Sequence, residues 1–180
     1  DALKGDHLWA ERYNRRMNDI FELQDEITMK IITAMRVKLT RGEGARMHAK
    51  GTDNLDAYLK FLQGLDHFNR LNPDDDVLAR RYLNEAIALD PEYAAPYGIM
   101  GHIHLMEVVR GQSKSPQKSI TQAFELAQKA LALDESIALG HDLLGSIHLI
   151  KRQYEKALAA FERAVVLNPN DIGSLFFLGK

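Results

Sequence analysis

"HDLLGSIHLIKRQYEKALAAFERAVVLNPN", residues 141–170, decides the fold. Small residues interrupt a bulky apolar pattern at fixed places in this stretch. Two antiparallel helices approach to about 8–10 Å where the side chains between them are small. Gly145 and Ala157 therefore read as the contact between two helices of one hairpin, spanning 137–150 and 154–167. Leu144 and Phe161 fill the space beside that contact. Ala164 lets a following hairpin lean in. Pro169 ends the second helix, because proline has no amide hydrogen with which to continue it.

The pattern recurs. "EAIALDPEYA" at 85–94, "KALALDESIA" at 129–138 and "RAVVLNPNDI" at 163–172 align. Ala79, Ala123 and Ala157 correspond, as do Ala86, Ala130 and Ala164, and Leu89, Leu133 and Leu167. Gly101, Gly145 and Gly179 follow the same two intervals, 44 and then 34 residues. An interval shared by independent positions marks a repeat, and a hairpin that buries only one face needs stacked neighbours. The periodicity predicts further helices over 55–70, 74–89, 94–109 and 116–133, and no strand after residue 20. Asn72-Pro73 and Ser115-Pro116 are cap-then-proline starts, and Asp74, Asp75 and Asp76 suit the positive end of the helix they open. The second repeat carries about ten extra residues, expected in the neighbourhood of "RGQSKSP".

This organisation resembles the tetratricopeptide repeat (TPR). Its pattern of large residue, Leu, Gly and aromatic, then Ala, aromatic, Ala and Pro, falls on His141, Leu144, Gly145, His148, Ala157, Phe161, Ala164 and Pro169. The preceding repeat offers Tyr97, Met100, Gly101, His104, Ala123, Ala127 and Ala130, with Ala127 for the aromatic and Glu135 for the proline. Gly64, Phe68, Ala79, Leu83, Ala86 and Pro91 make an earlier, weaker copy. Leu175, Leu178 and Gly179 begin a fourth. The resemblance implies an all-α fold over 54–180, a helical-hairpin solenoid in a right-handed superhelix, of about three repeats and the start of another. The repeat-packing residues are then Gly101, Ala123, Ala130, Leu144, Gly145, Ala157, Phe161, Ala164 and Pro169.

Ahead of the repeats, Ile20, Leu23, Ile27, Ile31, Ala34 and Met35 form one apolar stripe, which predicts a long helix that Gly42 and Gly44 stop. Residues 7–13, "HLWAERY", alternate as a short strand would. Leu8, Trp9, Ala10, Glu11, Arg12 and Tyr13, then Asp19, Ile20, Phe21, Gln24, Asp25, Glu26 and Ile27, resemble a junction in large bacterial signalling proteins. In those, a class III adenylate/guanylate cyclase domain or a winged-helix DNA-binding domain precedes a TolB-like α/β domain and then TPRs. By that resemblance residues 1–17 are the remnant of a truncated TolB-like domain, 18–53 a linker helix and joint, and the chain a piece of a longer polypeptide. Both upstream domains fit the resemblance, and the cyclase is the one expected.

Composition narrows function. The 180 residues include no cysteine, which removes disulfides and thiolate metal sites and agrees with the cytoplasm. Formal charge is −2 with Lys and Arg dispersed, so a nucleic-acid-binding basic face is not expected. No apolar run reaches the roughly 18 residues of a membrane span. Seven histidines raise the question of a metal. His102 and His104, two apart, point to different sides of a helix. His104, His141 and His148 lack a nearby carboxylate at ligand spacing and read as packing residues. Neither a phosphate-binding loop nor a nucleophile with triad partners is present, so no catalytic residue and no cofactor is expected. What the TPR resemblance leaves is a groove lined by the first helix of each hairpin: Tyr58, Phe61, Leu65, Phe68, His102, Leu105, Met106, Asp142, Ser146 and Leu149. That set is apolar and aromatic. It suits a helix or apolar peptide from a protein partner, or another domain of the same polypeptide. Leu175, Phe176, Phe177 and Leu178 at the C-terminal end make a homodimer the alternative.

Overall fold

A computed structural model of the chain describes residues 51, 52, 54–170 and 172–179. The expected strand at 7–13 and the long helix after residue 18 lie outside the described residues. Asn54–Lys180 form one compact unit. Its described residues make seven α-helices and no strand: α1 (Leu55–Asn69), α2 (Pro73–Leu89), α3 (Ala94–Val109), α4 (Pro116–Leu133), α5 (Ala138–Ile150), α6 (Tyr154–Leu167) and α7 (Ile172–Phe177).

Local chemistry fixes the helix ends. The Asn54 side chain accepts from the Ala57 amide at 3.1 Å to start α1. Asn72 Oδ1 accepts from the amides of Asp74 and Asp75, both at 3.0 Å, and Pro73 takes the first position of α2, where its missing amide hydrogen costs nothing. Ser115 occupies the cap position of α4, but its side chain makes no capping bond. Ser113 supplies the polar contacts instead, accepting from the Ser115 amide at 3.2 Å and meeting Ser119 Oγ at 2.8 Å. After α1, α3 and α5 the chain turns through one left-handed residue: Leu71 (φ 55°), Gly111 (φ 69°) and Arg152 (φ 57°). Only the middle one is a glycine.

Consecutive helices pair as α1/α2, α3/α4 and α5/α6, and the small residues lie where they meet. A Cβ on Gly64 would stand 3.3 Å from the Ala79 carbonyl oxygen, and one on Gly101 3.3 Å from that of Ala123. These are equivalent pairs in two repeats. In the third, a Cβ on Gly145 would meet the Phe161 ring at 2.6 Å. Gly101 also admits Leu143 of the next hairpin, which a Cβ would strike. α7 stops at Phe177, and Gly179, at φ 66°, lies beyond its end.

Two apolar clusters result. Phe61, Ala79, Leu83, Ala86, Tyr93, Ile99 and Ile103 join α1, α2 and α3 as far as Ile103. Leu105, Ile120, Ala123, Ala127, Leu143 and Ile147 join the rest of α3 to α4 and α5. Ala157, Phe161 and Ala164 bury the inner face of α6, and Ala130 is fully buried on α4. Leu144 is half-buried against the second cluster, while Pro169 is exposed in the turn after α6.

Of the ten additional residues of the second repeat, seven lengthen helices and only three lengthen a loop. α3 exceeds α5 by three residues, α4 exceeds α6 by four, and the connection 110–115 exceeds 151–153 by three. The turns at the opposite edge, 90–93 and 134–137, are equal in length, so the added turns all lie at the edge of the α3–α4 connection.

Candidate functional site

The first helices of successive hairpins, α1, α3, α5 and α7, neighbour one another in that order and share one face of the stack. Ten residues of this face were expected to line a groove, and their burial separates them. Phe61 and Leu105 are fully buried and belong to the core. Phe61 meets Tyr93 edge to face, with ring centroids 5.3 Å apart, and Leu105 sits among Ile120, Leu143 and Ile147. A first helix here is held by its own partner and by the preceding hairpin. Two of its faces are therefore apolar, and helical spacing alone does not tell them apart. His102 is also buried, 9% exposed. Tyr58, Leu65, Phe68, Met106, Asp142, Ser146 and Leu149 are half-buried. Tyr58, Leu65 and Phe68 rest against the first cluster and still present part of their surface.

Three polar groups of this face are bonded to one another. His102 Nε2 lies 3.2 Å from Asp142 Oδ2, and Asp142 Oδ1 accepts from Ser174 Oγ at 2.7 Å. The His102 ring is tilted against Phe68, with centroids 6.3 Å apart. Burial pushes the Asp142 carboxyl up, but the bonds from His102 and Ser174 outweigh it and hold the group below the usual carboxylate range. The carboxylate stands between imidazole and hydroxyl. A nucleophilic serine needs the imidazole in the middle, to take its proton, and this order does not supply it.

The other histidines part company. Arg80 Nη1 approaches His104 Nε2 at 3.0 Å, and a guanidinium can only donate, so that nitrogen is an acceptor and the ring is neutral. Burial first, then the Arg80 charge, lowers the affinity of His104 for a proton. His141 donates from Nε2 to the Glu135 carbonyl at 3.1 Å, and His148 Nδ1 meets Gln153 Oε1 at 2.7 Å. Among the described residues no three His, Asp or Glu side chains gather as metal ligands, and no helix is long and apolar enough to cross a membrane.

Two acidic residues do more than the sequence signalled. Asp75, read as helix-start charge, takes His67 Nδ1 at 2.6 Å, and His67 stacks on Tyr82. Asp76, 4% exposed, receives Arg110 Nη1 at 2.5 Å, and Arg80 reaches Glu107 at 2.7 Å. Together these bonds tie α2 to the end of α3. Their partners lie 34 and 27 residues away, beyond any local pattern.

Residues 138–171 match the tetratricopeptide repeat family. A TPR domain of Arabidopsis OM64 superposes with a TM-score of 0.51 at 18% identity, over 69% of this chain and 93% of that one. The likeness in fold is therefore to a whole domain. In sequence the chain is 37% identical over 131 residues, 73% of its length, to a protein of Rhizobium meliloti (strain 1021) named "Putative adenylate cyclase 3". The chain spans about a fifth of the length of that relative, 22%.

Proposed function

We propose that this tetratricopeptide-repeat domain is a non-catalytic protein-binding scaffold within a longer bacterial signalling polypeptide of the adenylate/guanylate cyclase kind. Its occupant is an apolar or amphipathic segment, from a separate protein or from another domain of the same polypeptide. The observation that carries this is the division on the shared face. Phe68, Met106, Leu149 and Leu65 keep apolar surface partly open, while the polar groups beside them are already bonded to each other. A surface that offers chiefly apolar side chains selects a ligand by apolar shape. The likeness to a protein named as a cyclase supports the context, and a winged-helix regulator is the alternative one. The cytoplasm, with no nucleic-acid, membrane or cofactor role, completes the reading.

A displayed peptide library panned on the 180-residue chain tests it. Enriched peptides are expected to be apolar or amphipathic, and to lose binding to a Phe68→Glu, Met106→Glu double variant. Peptides indifferent to both changes refute the site. Turnover of ATP or GTP by the purified chain refutes the non-catalytic assignment.

A second reading, self-association, draws on α7, where Phe176 is 77% and Phe177 48% exposed. Sedimentation over a wide concentration range decides it, since a strict monomer throughout removes it.

A further inference from the structure

Arg80 is a bridge between the first hairpin and the second. From α2 it reaches α3 twice, giving Nη1 to His104 Nε2 at 3.0 Å and Nη2 to Glu107 Oε1 at 2.7 Å. A neutral imidazole has one nitrogen with a free lone pair, and here it is Nε2. Nδ1 therefore carries the hydrogen, and it faces Glu107 Oε2 at 3.6 Å, beyond hydrogen-bonding distance. One turn before Arg80, on the same face of α2, stands Asp76. Its Oδ2 receives Arg110 Nη1 at 2.5 Å, but its Oδ1 is buried without a direct donor. A buried acceptor left unmet is a cost that a nearby donor would remove.

We propose that protonation of His104 makes Arg80 change partners, from His104 and Glu107 of α3 to Asp76 Oδ1 of its own helix, and so loosens the joint between the first two hairpins. The proton, taken from water, lands on Nε2, the atom that accepts from Arg80. Two cations then stand where a hydrogen bond was. Arg80 swings back one turn to the Asp76 oxygen, and the imidazolium brings Nδ1–H onto the vacated Glu107. Of the three bonds by which these side chains tie α2 to α3, only Asp76–Arg110 remains. Arg80 and Glu107 are the charges that act on the ring, with Asp76 and Arg110 behind them, and among the described residues α1, α4 and α5 add none. Burial and the Arg80 charge hold the ring below its ordinary pKa of 6.5 against a smaller opposing pull from Glu107, so the exchange belongs to acid medium.

Nuclear magnetic resonance of the full chain, titrated from neutral pH down to about 4, tests the exchange. The Asp76 Cγ and Arg80 side-chain N–H resonances are expected to shift with the same midpoint as the His104 ring nitrogens, and to stay still through that range in His104→Gln. A second readout follows the joint itself. The chain has no cysteine, so Asn84→Cys and Gln128→Cys, both at exposed positions, place spin labels on α2 and α4 alone. Their distance distribution should broaden across the His104 midpoint, and not in the His104→Gln background. Three results overturn the proposal: an Asp76 resonance that stays still while His104 titrates, one that shifts alike in His104→Gln, or label distances indifferent to the titration. If His104→Gln does not fold, Glu107→Gln takes its place. It weakens the acceptor the imidazolium needs, so the His104 midpoint and the Asp76 shift should move to lower pH together, and an Asp76 shift left behind at the original pH overturns the exchange.

Discussion

Replacing Gly145 by alanine sets two effects of opposite sign against each other. Inside a helix, alanine is favoured over glycine by about 1 kcal/mol. The new Cβ, however, would stand 2.6 Å from Cδ1 and Cε1 of Phe161 and 2.9 Å from Cζ, closer than carbon atoms pack. The ring has little room to retreat, being 2% exposed and backed by Phe177 at 4.9 Å. Overpacking of this kind costs about 1–3 kcal/mol. The expected net result is a loss of about 1 kcal/mol, or roughly 3–5 °C in Tm for a domain of this size. Phe161→Leu removes the ring that the Cβ would strike, at a cost of its own of about 1–2 kcal/mol. On that background Gly145→Ala should stabilise by about 1 kcal/mol, the propensity gain alone. Thermal and urea melts of the four chains measure both steps. If Gly145→Ala stabilises the parent as much as it stabilises Phe161→Leu, the ring does not occupy that space and the α5/α6 contact rests on other residues.

Tyr93 is fully buried and its hydroxyl has no direct partner, while burial raises its pKa strongly. Tyr93→Phe should therefore stabilise by about 1 kcal/mol in a urea melt, and a loss of that size would reveal a partner for the hydroxyl. Leu71 holds a left-handed backbone that costs an L-residue about 1–2 kcal/mol, where the equivalent Gly111 pays nothing. Leu71→Gly should gain up to about 1 kcal/mol after the extra freedom of an unfolded glycine is subtracted, with a fall in Tm counting against the assignment. His104 has a lowered pKa, so as pH falls below about 6.5 the unfolded chain takes up this proton first and stability declines. His104→Gln should flatten that part of the pH–stability curve, and an unchanged curve would place its origin elsewhere. Asp142 acts in a lower window: its carboxyl is depressed, so its contribution is present above about pH 4 and is lost as the medium turns more acid. Asp142→Asn should remove that acid-side loss from the melts.

Helix boundaries were legible because the chain marks them chemically. Asn54, Asn72-Pro73, Ser115-Pro116 and Asn168-Pro169 each interrupt the pattern where a helix ends or begins, and the expected limits agree with the structure to within about a residue. The one-residue change at Pro73 arises because proline is itself the first helical residue. The site was less legible. Periodicity placed Phe61 and Leu105 on the correct helices but could not distinguish the open face from the faces held by neighbouring helices. The Asp76–Arg110 and His102–Asp142 pairs join different hairpins, and their formation depends on how the hairpins stack. The intervals 44 and 34 gave the size of the extra segment in the second repeat but not its form. Extra helix and extra loop look alike when only spacing is counted.

That form has a mechanical consequence. Three more residues in α3 than in α5 make the middle hairpin about 4.5 Å taller at one rim, roughly one turn of helix. The rim therefore steps down from α3/α4 to α5/α6 on that side and is level between them on the other, where the turns 90–93 and 134–137 are equal. A broad, flat body laid along the stepped rim would rest on the α3–α4 ridge and stand clear of the α5/α6 hairpin, whereas a slender one could lodge in the corner beside it. Because the step is built of hydrogen-bonded helix, it would keep that geometry under load.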